Sequence, residues 1–299
     1  MTAQSTKAKQ FRTVESIVAP PPVHWVGDGF RVHGFLPHGP LDAKRMSPFF
    51  LLDYNSKYNF PPSTNLLGVG PHPHRGFETV TIAYHGKVAH HDSMGGGGVI
   101  GEGDVQWMTA GSGILHKEYH EEKFNREGGV FQMVQLWVNL PAKDKMTTPK
   151  YQAITNAEMG RYELPEGGGH VEVIAGEYSG VNGPATTFSP VHLYNLKPKA
   201  GTSLTLSFPS HYTAAILAIE GSATLNGEKK LPTDNLAVFG TDGEDITVTA
   251  DEDSVLLFMS GEPLNEPIAQ YGPFLMNNDA EIAQAIDDYQ RGKFGYLAD

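Results

Sequence analysis

At 299 residues the chain suits two domains of ordinary size, and its 39% hydrophobic and 10% aromatic content is enough for packed cores. It carries 22 basic against 34 acidic residues, a formal net charge of −12 with no Lys/Arg run, so phosphate backbones repel it and direct nucleic-acid binding is disfavoured. The absence of Cys excludes disulfides, thiolate catalysis and Cys-ligated zinc.

Residues 1–10 are polar, and the N-terminus has no apolar run of signal-peptide length. No stretch of about 18 apolar residues follows, so no transmembrane helix is expected. The expectation is a soluble cytoplasmic protein with no membrane partner, a nuclear site staying open in a eukaryote. The 34 Gly and 21 Pro argue for many turns. Short β-branched and aromatic runs then recur in chain order between Gly, Pro, Asn and Asp clusters: 78–84, 129–139, 170–175, 203–208, 215–219, 236–239 and 255–259. Such spacing predicts an all-β sandwich or barrel. At the end, Asn278 can cap a helix with Glu281 three residues later, and Ile282, Ala285, Ile286 and Tyr289 form its apolar stripe up to Gly292.

The pattern also repeats. TIAYHGKVAHHDS leads to GDVQWMTAG in the first half, and AILAIEGSATLNG leads to DNLAVFGTDG in the second, aligning Gly86 with Gly221 and Asp104 with Asn235. A duplicated β unit follows, joined between Pro141 and Gly169. The domains are expected at 24–141 and 169–292.

In an extended chain the imidazoles of His72-Pro73-His74 point to one face, and His116-Lys117-Glu118 repeats the arithmetic. If the two strands adjoin inside a barrel, four ligand atoms converge on one centre. A single such pair is more often surface or hydrogen-bonded than metal-binding; two pairs in one domain shift the balance. Nitrogen and carboxylate donors without thiolate suit Fe, Mn, Ni, Cu or Zn. His90 and His91 are consecutive, so only one can face inward, and a supporting or surface role is expected. His120 could line a pocket mouth. His192 and His211 have no partner at i+2, so the second domain is expected to be metal-free. Gln106, Trp107 and Met108 read as core. Gly95–Gly98 lacks the Lys-Ser/Thr ending of a phosphate loop and reads as a hairpin tip.

The segments HPHRGFETVTIAYHGKVAHHDS and GGVIGEGDVQWMTAGSGILHKE, with the closing GEPLNEPIAQYGPFLMN, closely resemble the signature regions of pirins. The likeness runs from about Phe30 to Gly292. It implies a bicupin, two cupin-type β-barrels, with one metal, usually iron as Fe(2+), in the first barrel on His72, His74, His116 and Glu118. Glu78 stands where the general cupin consensus has a ligand, but the pirin resemblance leaves it outside the metal shell. Ser112 stands where many pirins carry Arg. The resemblance further implies quercetin 2,3-dioxygenase chemistry on a flavonol with O2, in which Glu118 is both ligand and base. The alternative it implies is a non-enzymatic, metal- or redox-responsive regulator of a transcription factor or metabolic enzyme.

Overall fold

The computed structural model describes residues 10–37, 39 and 41–298. They divide into two compact units, neither continuous in sequence. One holds residues 20–159, 183–190 and 264–298, the other 10–19, 160–182 and 191–263. Both are all-β, as the strand pattern predicts.

In the first unit a seven-stranded sheet runs in the order Lys150–Ile154, Val105–Thr109, Phe77–His85, Gly129–Asn139, Phe49–Phe60, Phe30–Leu36, Val23–Val26. A four-stranded sheet follows the order Gly68–His74, Ile114–His120, Val88–Asp92, Gly97–Ile100. The second unit repeats the plan. Its larger sheet is Val14–Val18, Leu236–Phe239, Thr213–Glu220, Val255–Gly261, Val191–Pro198, Gly169–Ala175, Gly160–Glu163, and its smaller one Ser203–Ser207, Asp245–Ala250, Ala223–Leu225, Lys229–Leu231.

The duplication extends to single hydrogen bonds. Ala83 N–H donates to Asp104 O at 3.1 Å and its carbonyl accepts from Gly103 N at 2.7 Å; Ala218 makes the same two bonds with Asn235 (3.0 Å) and Asp234 (2.8 Å). Gly103 and Asp234 both take left-handed φ, 85° and 65°, to turn the chain into the following strand. The sequence alignment of Gly86 with Gly221 and Asp104 with Asn235 therefore marks structurally equivalent turns.

The C-terminal helix, Asp279–Gln290, starts where the capping residues place it: Asn278 Oδ1 accepts from Glu281 N at 3.0 Å. Ile282 and Ala285 are buried, while Tyr289 is exposed. With Phe274, Met276 and Phe294 the helix packs against Leu115, inside the strand that carries His116. A second, shorter helix, Glu122–Glu127, went unforeseen. The Glu121 carboxylate caps it by accepting from Lys123 N and Phe124 N, and six residues are too few to show a helical period. Among the described residues no helix is long and apolar enough to cross a membrane.

Candidate metal centre

The two His-bearing segments are neighbours in the four-stranded sheet. His116 lies opposite His72 and Ile114 opposite His74, with a bulge before Glu118, which lies opposite Val69. On its other side the same strand sets His116 against Asp92 and Glu118 against His90. Alternation does the rest: His116, Glu118 and His120 point inward while Lys117 and Tyr119 are partly exposed.

His72, His74 and His116 present ring nitrogens that all lie within 4.8 Å of one another. Their ring centroids are 4.2–4.8 Å apart. His72 Nδ1 faces the Gly70 carbonyl at 2.9 Å and His74 Nδ1 faces that of Pro273 at 3.3 Å. A carbonyl can only accept, so each Nδ1 carries the hydrogen and each Nε2 keeps its lone pair for a ligand. His116 Nε2 is buried and has no hydrogen-bond partner among the described residues. Burial, followed by the neighbouring imidazoles, holds the pKa of His74 and His116 well below the ordinary histidine value. They are neutral at physiological pH, the form that coordinates metal. This donor set fits a first-row transition ion.

Glu118 enters a second, overlapping group with His90 and His116, again within 4.8 Å. Its carboxylate accepts from Gln135 Nε2 at 2.7 Å, from Thr81 Oγ1 at 3.2 Å, and from Gln106 Nε2. Gln106, read from sequence as core, thus reaches the site; a strand residue between hydrophobic neighbours gives no signal for that. His90 is fully buried, with Nδ1 3.4 Å from His116 Nδ1 and Nε2 3.5 Å from Asp92 Oδ2. It backs the His116 ring, whereas His91 stacks on Tyr119 at the surface. His120 does not line a pocket mouth: it is buried among Phe30, Phe60, Phe124 and Phe131, with Nε2 on the Gly29 carbonyl at 2.8 Å. Glu78 is buried, accepts from Thr109 Oγ1 at 2.7 Å, and is pushed up to about 7 by that burial. Ser112 contributes its main-chain carbonyl to Arg75 Nε at 2.7 Å, a contact independent of its side chain.

In the second unit the strand pairings carry His90 onto Leu225, Glu118 onto Val248, His116 onto Ile246, His72 onto Leu206 and His74 onto Phe208. All five are buried members of one apolar core. His192 bonds Tyr194 at 2.9 Å and His211 lies 3.8 Å from Glu262 near the surface.

A cavity of about 600 Å³ opens on His72 and His74. Leu36, Leu51, Val69 and Trp137 give it apolar walls, and His24, Asp53 and Gln135 are its other polar side chains. Trp137 stacks on Phe77 and stands edge-on to His74, with centroids 4.0 and 5.2 Å apart.

Two duplicated β-barrels, with a histidine–carboxylate cluster in one and hydrocarbon at the same positions in the other, define a cupin-type protein. Comparison with known proteins gives the family. Residues 29–138 match the Pirin family model and 193–295 that of the Pirin C-terminal cupin domain. A Pseudomonas aeruginosa protein provisionally named a quercetin 2,3-dioxygenase is 49% identical over 271 residues, covering 91% of this chain and 94% of that one. Pirin-1 of Arabidopsis thaliana is 38% identical over 262 residues, 86% of each chain. The crystal structure of a quercetin 2,3-dioxygenase from Acinetobacter baumannii superposes with a TM-score of 0.91 at 48% identity, covering 97% of this chain and all of that one. The chain belongs to the pirin family.

Proposed function

We propose that this pirin is a metal-dependent dioxygenase that opens the ring of quercetin-type flavonols with O2. The observation that carries the reading is the apolar-walled cavity of about 600 Å³ lined by His72 and His74, whose Nδ1 atoms meet main-chain carbonyls and so leave Nε2 available for a ligand. The names of the similar P. aeruginosa and A. baumannii proteins point to the same chemistry. His72, His74, His116 and Glu118 hold the metal, Fe(2+) in the first place, with Mn, Ni, Cu or Zn accommodated by the same donors. The first unit, which holds residues 24–141, is the working one, and the second is its metal-free counterpart.

Bound there, the metal supplies Lewis acidity toward an enolic oxygen and access to O2 chemistry. The protein's part is positional and acid–base. Carbonyls of Gly70 and Pro273 fix the tautomers of His72 and His74. Gln106, Gln135 and Thr81 aim the Glu118 carboxylate, which accepts the proton released by the flavonol's enolic hydroxyl. Leu36, Leu51 and Trp137 keep water from the ring. In the balanced reaction both atoms of O2 enter the substrate and its C3 leaves as carbon monoxide with the depside product.

Oxygen uptake with quercetin, in proportion to bound metal and with carbon monoxide released, is the test. Metal-loaded protein that consumes no oxygen with any flavonol overturns the reading and gives precedence to a regulatory role.

A further inference from the structure

One polar group of the cavity has no task in the chemistry above. Asp53 lies in the strand Phe49–Phe60, opposite Gln135 on one side and Gly34 on the other. It is nearly buried, at 9% exposure, and it lines the same cavity as His72 and His74. No hydrogen-bond donor or cation among the described residues reaches its carboxyl.

Space in front of it is kept open. A Cβ on Gly34 would stand 3.3 Å from Asp53 Oδ1 and 3.0 Å from His24 Cε1, so any larger residue there would crowd both side chains. A carboxylate among Leu51, Leu36 and Trp137 costs free energy unless a donor meets it. In keeping with that, burial pushes its pKa up to about 7. Two other buried carboxylates of this unit are met by donors: that of Glu118 has three and that of Glu78 has Thr109. The donor to Asp53 comes from the cavity side, from water or from a ligand that displaces it.

The geometry points to Asp53 as the residue that selects the substrate, accepting a hydrogen bond from a phenolic hydroxyl on the part of the flavonol away from the metal. Resting on the dioxygenase reading of the cavity, this narrows the substrate class to uncharged aromatic rings that bear hydroxyl donors. A bare flavonol leaves the carboxyl unmet, and a ring bearing a carboxylate is repelled by it.

The test uses two probes sharing the enolic 3-hydroxyl and the ketone: quercetin, which has phenolic hydroxyls, and 3-hydroxyflavone, which has none. Binding to metal-depleted full-length protein is followed by quenching of tryptophan fluorescence, since Trp137 lines the cavity. Asp53→Leu is expected to bind quercetin at least about tenfold more weakly than wild type, the scale of one lost hydrogen bond to a charged group, and to bind 3-hydroxyflavone at least as tightly as wild type, because no carboxyl is then left unmet. Asp53→Asn, which keeps the size and one acceptor oxygen, should fall between them and guards against a folding defect in the leucine variant. Quercetin binding equally tight in wild type and Asp53→Leu overturns the assignment; so does equal weakening toward both probes, which would mean that Asp53 only shapes the cavity. A wild type that binds neither probe overturns it as well. Oxygen uptake by metal-loaded wild type is measured in parallel. A quercetin-specific binding contrast without turnover sinks the dioxygenase reading while leaving the recognition role of Asp53 standing.

Discussion

Removing the carboxylate of Asp288 should destabilise the protein and loosen the metal site together. Arg75 directly follows His74 in sequence, and its guanidinium is buried: Nη2 lies 2.9 Å from Asp288 Oδ2, Nε donates to Ser112 O, and the group sits 4.8 Å over the Phe294 ring. The two side chains are 4% and 8% exposed, so Asp288→Leu leaves a cation that solvent cannot reach. Taking one partner from a buried pair typically costs about 3–5 kcal/mol, which lowers the thermal midpoint by roughly 6–20 °C in a unit of this size. The same segment brings the Pro273 carbonyl to His74 Nδ1, so metal occupancy should fall as well. Near-UV circular dichroism on heating, with metal analysis of the same samples, reads both effects. The decisive comparison is Arg75→Met combined with Asp288→Leu, in which no charge is stranded. It should recover most of the loss, because replacing a whole buried pair by hydrocarbon is often neutral. A double variant less stable than Asp288→Leu alone would refute the reasoning, showing that packing at Arg75, not its unpaired charge, sets the cost. In wild type, hydrogen bonds from Lys293 and then Arg75 hold the Asp288 carboxyl down at about 2. Its contribution is therefore complete above the ordinary aspartate range and is lost as pH falls through about 2.

Purified protein should carry about one transition metal per chain, sharply reduced in His74→Ala and His116→Ala but unchanged in His192→Ala; full occupancy in both of the first two variants would remove these residues from the metal shell. Glu118→Gln, compared with wild type at equal metal loading, should lower flavonol turnover by roughly a hundredfold or more, since it cannot take the enol proton; near-normal oxygen uptake would reduce Glu118 to a ligand. Lys145 is buried with its ammonium on the carbonyls of Gly76 and Leu275 and on Asn139 Oδ1, at 2.6–2.8 Å, and burial lowers its pKa from 10.5 to about 8. Because the unfolded chain then holds the proton more tightly, wild-type stability relative to Lys145→Met should rise between pH 8 and 10.5 by about 3 kcal/mol, and urea titrations giving a flat difference would contradict this.

The class of the fold and the pairing of the candidate ligand residues on single strand faces were legible because they rest on local rules. Alternation along a strand puts His72 with His74, and His116 with Glu118, on single faces whatever the rest of the chain does. Turn residues such as Gly86 and Gly221 mark a repeat because left-handed backbone is chemically demanding. In the folded chain His72, His74 and His116 converge, and Glu118 groups with His90 and His116 while accepting from the amides of Gln106 and Gln135. No local pattern distinguishes Gln106 or Asp53 from other strand residues. Their roles come from strand neighbours: Gln106 meets Glu118 across the barrel interior, and Asp53 faces the cavity beside a glycine nineteen positions earlier in the chain. The same holds for the chain ends, where Val14–Val18 joins the sheet of the second unit and residues 264–298 pack with the first. Periodicity says which face of a segment is buried; only the folded chain says against what, because the partner is chosen by complementary surfaces far apart in sequence.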